Sequence, residues 1–258
     1  MSGMRAPAFF VAHGAPSLAI EQDDFTRAAN AFGKSLEGVR GIAFISAHWQ
    51  SRGPARVNAV ARPAMIYDFG GFAPELYQME YAAPGAPELA KEIAALIGAP
   101  LESERGWDHG VWVPMLHIRP AADIPIVEVA LPAGAEPREL AQLGAALAPL
   151  RDKGVAIAGS GGIVHNLRIL DLGNKNAEPL GWASEFDRWI ADRMNARDFD
   201  AIARYRSAPG ASLAVPTPEH FEPLLIVLGA AFADDSLSTI YEGFQYATLS
   251  MRSVVLAS

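Results

Sequence analysis

The chain has 258 residues, of which half are hydrophobic and 19% are charged, and its formal net charge is −8. This composition is typical of a globular protein, and the length allows one α/β domain with a large core. The acidic balance, with no run rich in lysine or arginine, makes nucleic acid and anionic membranes unsuitable partners. The absence of cysteine excludes disulfides, thiolate metal sites and a cysteine nucleophile.

The N-terminal stretch MSGMRAPAFFVAHGAP holds too short an apolar run for a secretory signal. No other stretch approaches the roughly 18–20 apolar residues of a membrane span. We therefore expect a soluble, cytoplasmic protein without a membrane partner. A homo-oligomer is compatible with the sequence, but the pattern locates no interface.

Apolar runs alternate with helix-like segments along the chain. The strand candidates are residues 8–12, 41–47, 55–61, 126–130, 155–159 and 224–230, followed by 238–241 and 248–255. The run at 224–230 fits a helix equally well. The helix candidates are residues 24–34, 87–97, 136–150, 184–193 and 198–205. Proline in the first turn with nearby acids, as at Pro87 and Glu88, is typical of a helix start.

Near-continuous apolar strands between helices predict a single α/β domain over residues 1–258. Its central sheet would be mostly parallel or mixed, with helices covering both faces. In such sheets, ligands bind beyond the carboxyl ends of the strands. His13 and His48 directly follow apolar runs, and a GSGG turn precedes His165. The Pro/Gly-rich stretches 62–74 and 206–223 are predicted to be long functional loops.

Histidine is the residue type most indicative of function in this chain. Imidazole is the commonest protein ligand of transition metals and the usual general base near neutral pH. Five of the 6 histidines lie beside Gly, Pro, Trp or acidic residues. They are His13 in VAHGAP, His48 in ISAHWQ, His109 in GWDHGVW, His165 in GGIVHNL and His220 in PTPEHFEP. The sixth, His117, lies in the apolar run PMLHIRP and is expected to be structural.

The residues leave the ligand set open. His13 and His48 taken singly fit ordinary loop histidines, but two at equivalent strand ends favour a shared metal site. His220, between prolines, would complete a three-histidine face that suits zinc. Glu219 or Glu222 would instead give the two-histidine, one-carboxylate face of ferrous oxygenases.

The remaining candidates also have alternatives. His165 fits a general base or a fourth metal ligand. The GSGG turn before it lacks the lysine of a phosphate loop, and Ser160 lacks the G-x-S-x-G context of a serine hydrolase. Asp108, next to His109 in WDHGVW, is a candidate to orient or charge that imidazole.

Seven stretches in this order resemble the LigB-type class III extradiol ring-cleavage dioxygenases, and within them the 4,5-DOPA dioxygenase-like branch. The resemblance covers residues 8 to 253. The stretches are HGAPSLAI, ISAHWQ, YDFGGFAPELYQMEYAAPGAPELA, ERGWDHGVWVPML, GSGGIVHNL, PTPEHFEPLL and YEGFQYATLSMRS.

The resemblance implies one non-haem metal ion held by His13, His48 and His220. It implies His165 as the catalytic base, with a fourth-ligand role as the alternative, and His109 as a further catalytic residue. Fe(II) is expected for ring cleavage and Zn(II) is plausible as the bound ion. The implied reaction opens the ring of a DOPA-like catechol with O2 to give a semialdehyde.

Two other functions fit the same scaffold: a zinc-dependent hydrolase and a catechol-binding protein without turnover. For the substrate, Tyr67, Phe69 and Phe72 either stack on an aromatic ring or pack the loop. Arg252 is a candidate partner for a substrate carboxylate.

Overall fold

The fold is built on a mixed sheet that has six strands within residues 5–258, the part of the chain that the computed structural model describes. The strands are β1 (Ala8–Ala12), β2 (Gly41–Ser46), β3 (Ile126–Glu128), β4 (Val155–Gly161), β5 (Ser236–Tyr241) and β6 (Ser253–Ala257). Their order across the sheet is β3-β2-β4-β1-β6-β5. The first four are parallel, whereas β6 runs antiparallel to both β1 and β5.

Helices connect these strands. They are α1 (Asp24–Gly33), α2 (Pro87–Ile97), α3 (His109–Ile118), α4 (Pro137–Leu147), α5 (Gly181–Asn195), α6 (Phe199–Ala203), α7 (Ala211–Ala214) and α8 (Glu222–Gly229). Short strand pairs lie outside the main sheet: Gln50–Ser51 with Leu131–Pro132, Val57–Asn58 with Leu101–Glu102, and Phe244–Gln245 with Leu249–Ser250. Over residues 5–258 no helix combines the length and the apolar content that crossing a bilayer requires.

Both faces of the sheet are buried, because successive side chains of a strand point to opposite faces. Phe9 and Phe44 pack in one core with residues of α1 and α3. Phe10 and Ile157 pack in the other, with residues of α2, α4, α5 and α8. The predicted α/β fold with a covered, mixed sheet is thus confirmed. Residues 1–4 of the expected single domain lie outside the described residues.

Two apolar runs form helices that periodicity alone does not assign. Of the run at 224–230, all residues but the last lie in α8, with Pro223 in the first turn, where its missing N–H costs nothing. The helix α3 was not predicted. It is buried almost all round and has Pro114 in its interior, so the sequence shows neither an amphipathic period nor an uninterrupted helical run.

Two strand predictions are too long. Only Val57–Asn58 of the stretch 55–61 is a strand. The stretch 248–255 is divided into Leu249–Ser250 and a separate β6, with Met251 and Arg252 between them. Ala55 and Met251 are buried without belonging to a strand, so an apolar run does not require that every residue joins a sheet.

Candidate active site

Three adjacent parallel strands bring the first two histidines together. The order β2-β4-β1 places the carboxyl ends of all three strands at one edge of the sheet. His13 directly follows β1, and His48 follows β2 by two residues. Glycines allow the close packing at this edge. Gly14 has a φ of +60°, and a Cβ on Gly161 would lie only 2.0 Å from the His220 backbone oxygen.

A serine fixes the orientation and the tautomer of His13. The Ser160 hydroxyl donates to the Gly110 carbonyl oxygen at 2.5 Å. Its only hydrogen is thereby used, so the Ser160 oxygen accepts from His13 Nδ1–H at 2.8 Å. His13 Nε2 is left unprotonated, and it lies 3.2 Å from His48 Nε2.

Carboxylates lie behind the next two rings, at contact distance for His48 and at hydrogen-bond distance for His220. His48 Nδ1 lies 3.4 Å from Asp68 Oδ2. His220 Nδ1–H donates to Glu219 Oε1 at 3.0 Å, and this carboxylate also accepts from a threonine hydroxyl at 2.8 Å. An acceptor behind Nδ1 is the usual way in which a protein orients a histidine whose Nε2 binds a metal.

The ligand nitrogens of His13, His48 and His220 lie within 4.8 Å of one another. Burial, reinforced by the neighbouring imidazoles, lowers the pKa of His13 well below its usual range. The same causes lower the pKa of His48 to about 3. Both rings are therefore neutral near pH 7, and their lone pairs are free to bind a cation. The three side chains fit a divalent transition metal by donor type and by spacing.

Comparison with known proteins assigns the chain to a family. The family model described as the catalytic LigB subunit of aromatic ring-opening dioxygenase matches residues 7–257. The chain belongs to the LigB family.

Relatives of this LigB-family protein match it over almost the whole length. It is 36% identical to an Escherichia coli (strain K12) protein named 4,5-DOPA dioxygenase extradiol, over 98% of this chain and 96% of that one. A Beta vulgaris protein of the same name is 35% identical, over 97% and 96% of the two chains. The crystal structure of an uncharacterized Escherichia coli K12 protein superposes with a TM-score of 0.84 at 32% identity, covering 98% of this chain and 100% of that chain. The predicted enzyme class, extradiol dioxygenase, is confirmed.

Two further histidines complete the polar centre of the LigB-family protein. The His165 ring stacks on the His220 ring, with centroids 3.5 Å apart and planes 7° apart. Burial and the neighbouring His220 lower the pKa of His165 to about 2, so its ring is neutral. His109 is the first residue of α3, and its ring centroid is 4.0 Å from that of His48. All five histidines singled out in the sequence therefore line one cavity.

Asp68 is the acidic residue that links two of these rings. Its Oδ1 accepts from both the backbone N–H and the Nδ1–H of His109, at 3.1 and 2.8 Å. Burial raises the pKa of Asp68, but the hydrogen bonds and the charge of His109 outweigh it and lower that pKa to about 2. His48, Asp68 and His109 form a second close group of potential ligands. Since the carboxylate contacts both rings at Nδ1, we assign it an orienting role.

The cavity of the LigB-family protein has a volume of about 410 Å³, within the usual range of roughly 300–1,000 Å³ for small-molecule sites. Phe69 and Phe72 line it, and their rings also pack against each other, with centroids 5.5 Å apart. Tyr67 does not line it, because its hydroxyl donates to the Met79 carbonyl oxygen and its ring packs near Trp112. Tyr246, also in the lining, has a φ of +53°, a strained conformation of the kind found at functional sites.

Asp108 and Arg252 make contacts other than those considered from the sequence. The prediction that Asp108 orients His109 is wrong, because Asp108 accepts from Ser46 and Arg105 while Asp68 holds the imidazole. Arg252 is bound to the carboxylates of Asp187 and Glu242. Arg252 does not line the cavity, which argues against its candidate role as the partner of a substrate carboxylate.

Other assignments are clarified by the contacts. Ser160 is committed to His13 and Gly110, which argues against a serine nucleophile paired with His165. His117 Nε2–H donates to the Leu18 backbone oxygen at 2.8 Å, and the ring lies outside the histidine-lined cavity, in agreement with the predicted structural role. The role of Asp68 was missed, although an acid in the aromatic stretch YDFGGF was the available signal.

Proposed function

We propose that this protein binds one non-haem metal ion through His13, His48 and His220 and cleaves the ring of a catechol with O2. The observation that carries the proposal is the set of acceptors behind the three rings. Ser160, Asp68 and Glu219 occupy the Nδ1 sides, which leaves the three Nε2 atoms for one cation.

The ion expected for this reaction is Fe(II). Three imidazole ligands accept either Fe(II) or Zn(II). Fe(II), when bound, would supply the redox chemistry that lets dioxygen react with a catechol, whereas Zn(II) has no redox chemistry and would leave the protein inactive in ring cleavage.

The overall reaction needs no further co-reactant. The carbon–carbon bond beside the diol breaks, and both atoms of O2 enter the product. The hydroxyl-bearing carbon becomes a carboxyl group and its neighbour becomes an aldehyde, so O2 is the oxidant and the catechol is oxidised. The product is a ring-opened hydroxy-semialdehyde.

His165 is proposed as the base that takes a phenolic proton from the catechol. Its ring is neutral and lies against His220, so a ring nitrogen is available beside the proposed metal ligands. The stacking also holds the imidazole plane. Because His165 belongs to neither of the close ligand groups found in residues 5–258, we favour the role of base over that of fourth ligand.

His109 is proposed as the proton donor in a later step. Asp68 accepts from Nδ1–H, so Nε2 is the atom that holds and releases the proton. The carboxylate would stabilise the imidazolium and keep the ring oriented. Phe69, whose ring centroid is 5.6 Å from that of His109, would contact the aromatic substrate and exclude water.

The test is metal reconstitution under anaerobic conditions. Metal-free protein is loaded with Fe(II) or Zn(II) and then given air with catechol or L-DOPA, while oxygen uptake and the absorbance of a yellow product are followed. We expect turnover with Fe(II) and none with Zn(II). His13→Ala should lose both metal and activity, whereas His165→Ala should keep the metal and lose about a hundredfold or more in kcat.

His117→Gln is the matched control, because it removes a histidine outside the cavity. It should retain both the metal and the activity. No oxygen uptake across varied catechols by the Fe(II)-loaded protein would overturn the proposal. Ester hydrolysis by the Zn(II)-loaded protein, with loss in His13→Ala, would replace it with a zinc hydrolase.

A further inference from the structure

The outer part of the cavity is unusually apolar for a solvent-facing surface. One segment contributes Leu167, Leu170 and Leu172, and the aromatic loop contributes Phe69 and Phe72. Leu172 is 78% exposed and Leu167 is 58% exposed. Large apolar side chains clustered at the mouth of a cavity are typical of a binding surface that a ligand covers.

The lining also lacks a partner for an anionic substituent. Among the cavity residues, all of them within the described chain, none is a lysine or an arginine, and Asp68 is acidic. Lys175 is bound to the carboxylates of Glu21 and Asp23. Arg252 is similarly bound to Asp187. A carboxylate that enters such a cavity loses water without gaining a cation, which is costly.

Neutral hydrogen-bonding groups are present instead. Ser17 and Tyr246 lie in the lining and offer hydroxyls to a substituent without requiring charge. Arg168 lies next to Leu167 in sequence and is exposed, but it is not part of the lining. It is the cation whose contribution an experiment should test.

We infer that the site selects catechols that carry an uncharged, apolar substituent over catechols that carry a carboxylate. The inference rests on the proposed function, since it identifies the substrate class of that same site. The diol end would lie at the histidines, and the substituent would lie between the leucine segment and the aromatic loop. Covering this apolar surface would favour substituents of several carbons.

The expected preference follows from apolar burial. Each methylene that the leucines and phenylalanines cover should raise kcat/KM by about fourfold. A propyl group should therefore exceed unsubstituted catechol by more than tenfold. A terminal carboxylate should cancel that gain, because its desolvation is not offset by a cation.

The experiment compares a matched pair of substrates in the Fe(II)-loaded protein. The pair is 3-(3,4-dihydroxyphenyl)propanoic acid and its methyl ester, with 4-propylcatechol and catechol as references. We expect the ester and 4-propylcatechol to have the highest kcat/KM, and the acid to lie at least tenfold below the ester. An acid that equals or exceeds its ester would overturn the inference and leave ring cleavage standing.

A binding measurement separates failure of the inference from failure of the proposed function. Zinc-loaded protein is titrated with the same four compounds by anaerobic calorimetry. The same order of affinities would support the substrate class even if Fe(II)-loaded protein showed no turnover, a result that would overturn ring cleavage alone. Tighter binding of the acid than of the ester would overturn the substrate class.

Three variants locate the preference. Leu172→Gln should reduce the ratio of kcat/KM for the ester to that for catechol by severalfold. Leu96→Gln, at a 42% exposed leucine of α2 outside the lining, should leave the ratio unchanged. Arg168→Gln should leave turnover of the acid unchanged. A loss confined to the acid would show that Arg168 recognises carboxylates and would overturn the inference.

Discussion

Replacing Asp68 by asparagine should weaken both the metal site and catalysis. One carboxylate supports two rings: Oδ1 accepts from His109 Nδ1–H at 2.8 Å, and Oδ2 lies 3.4 Å from His48 Nδ1. An amide has the same shape but only one acceptor oxygen, so its NH2 group must face one ring N–H. The loss of a hydrogen bond to a charged group costs about 1.5–3 kcal/mol, which corresponds to about ten- to a hundredfold in an equilibrium or rate constant.

We therefore expect Asp68→Asn to lower kcat/KM at saturating Fe(II) by about ten- to a hundredfold. Metal affinity, measured by competition with a chromophoric chelator, should fall by a similar factor if the amide turns its NH2 toward His48. Glu75→Gln, at an exposed acid of the following 3-10 helix, is the matched control and should change neither. Wild-type kcat/KM and metal affinity in a folded Asp68→Asn protein would refute the orienting role.

Three further predictions concern the residues behind the site. Ser160→Ala should lower metal affinity about ten- to a hundredfold, because the imidazole it orients loses its acceptor; unchanged chelator competition would contradict the assigned tautomer. Burial and a nearby aspartate raise the pKa of Glu128 well above its ordinary value, and neither of its carboxylate oxygens has a hydrogen-bond partner within residues 5–258. The folded protein therefore keeps Glu128 protonated at pH values at which the unfolded chain has lost that proton. This contribution to stability is complete below about pH 4.3 and is lost as the pH rises. Glu128→Gln should raise the midpoint of thermal unfolding at pH 7 and lose this advantage toward pH 4, and a pH-independent difference would refute the reasoning. Gly161→Ala should destabilise the fold by about 1–3 kcal/mol or more, because its Cβ would meet the His220 oxygen at 2.0 Å; Gly181→Ala, in open space, should not.

Local pattern was sufficient for the strands and helices that have a clear period or clear ends. The strand Ala8–Ala12 and the helix Pro87–Ile97 have the predicted bounds. Helix α3 was missed because a buried helix with an internal proline has the same local features as an apolar loop. Its assignment depends on contacts with α1 and the sheet, which the pattern does not contain.

The sequence by itself determined the family, the α/β class and the five histidines of the polar centre. The two strand-end histidines follow apolar runs, and parallel strands of one sheet end at the same edge. The ordered motifs identify the remaining three. These features depend on residues that are close together in the sequence or on the order of the motifs along the chain, so they are recognisable without coordinates.

Only the tertiary structure decided which group lies behind each ring and which side chains line the cavity. Asp68, and not Asp108, lies behind His109, and Ser160 orients His13. Glu219 was an alternative ligand candidate to His220, but its carboxylate instead accepts from the His220 ring and orients it. Hydrogen-bond partners depend on how loops far apart in sequence pass one another, and the leucine-lined cavity mouth depends on the same packing. A donor and its acceptor that are 41 or 147 residues apart leave no periodic signal in the sequence.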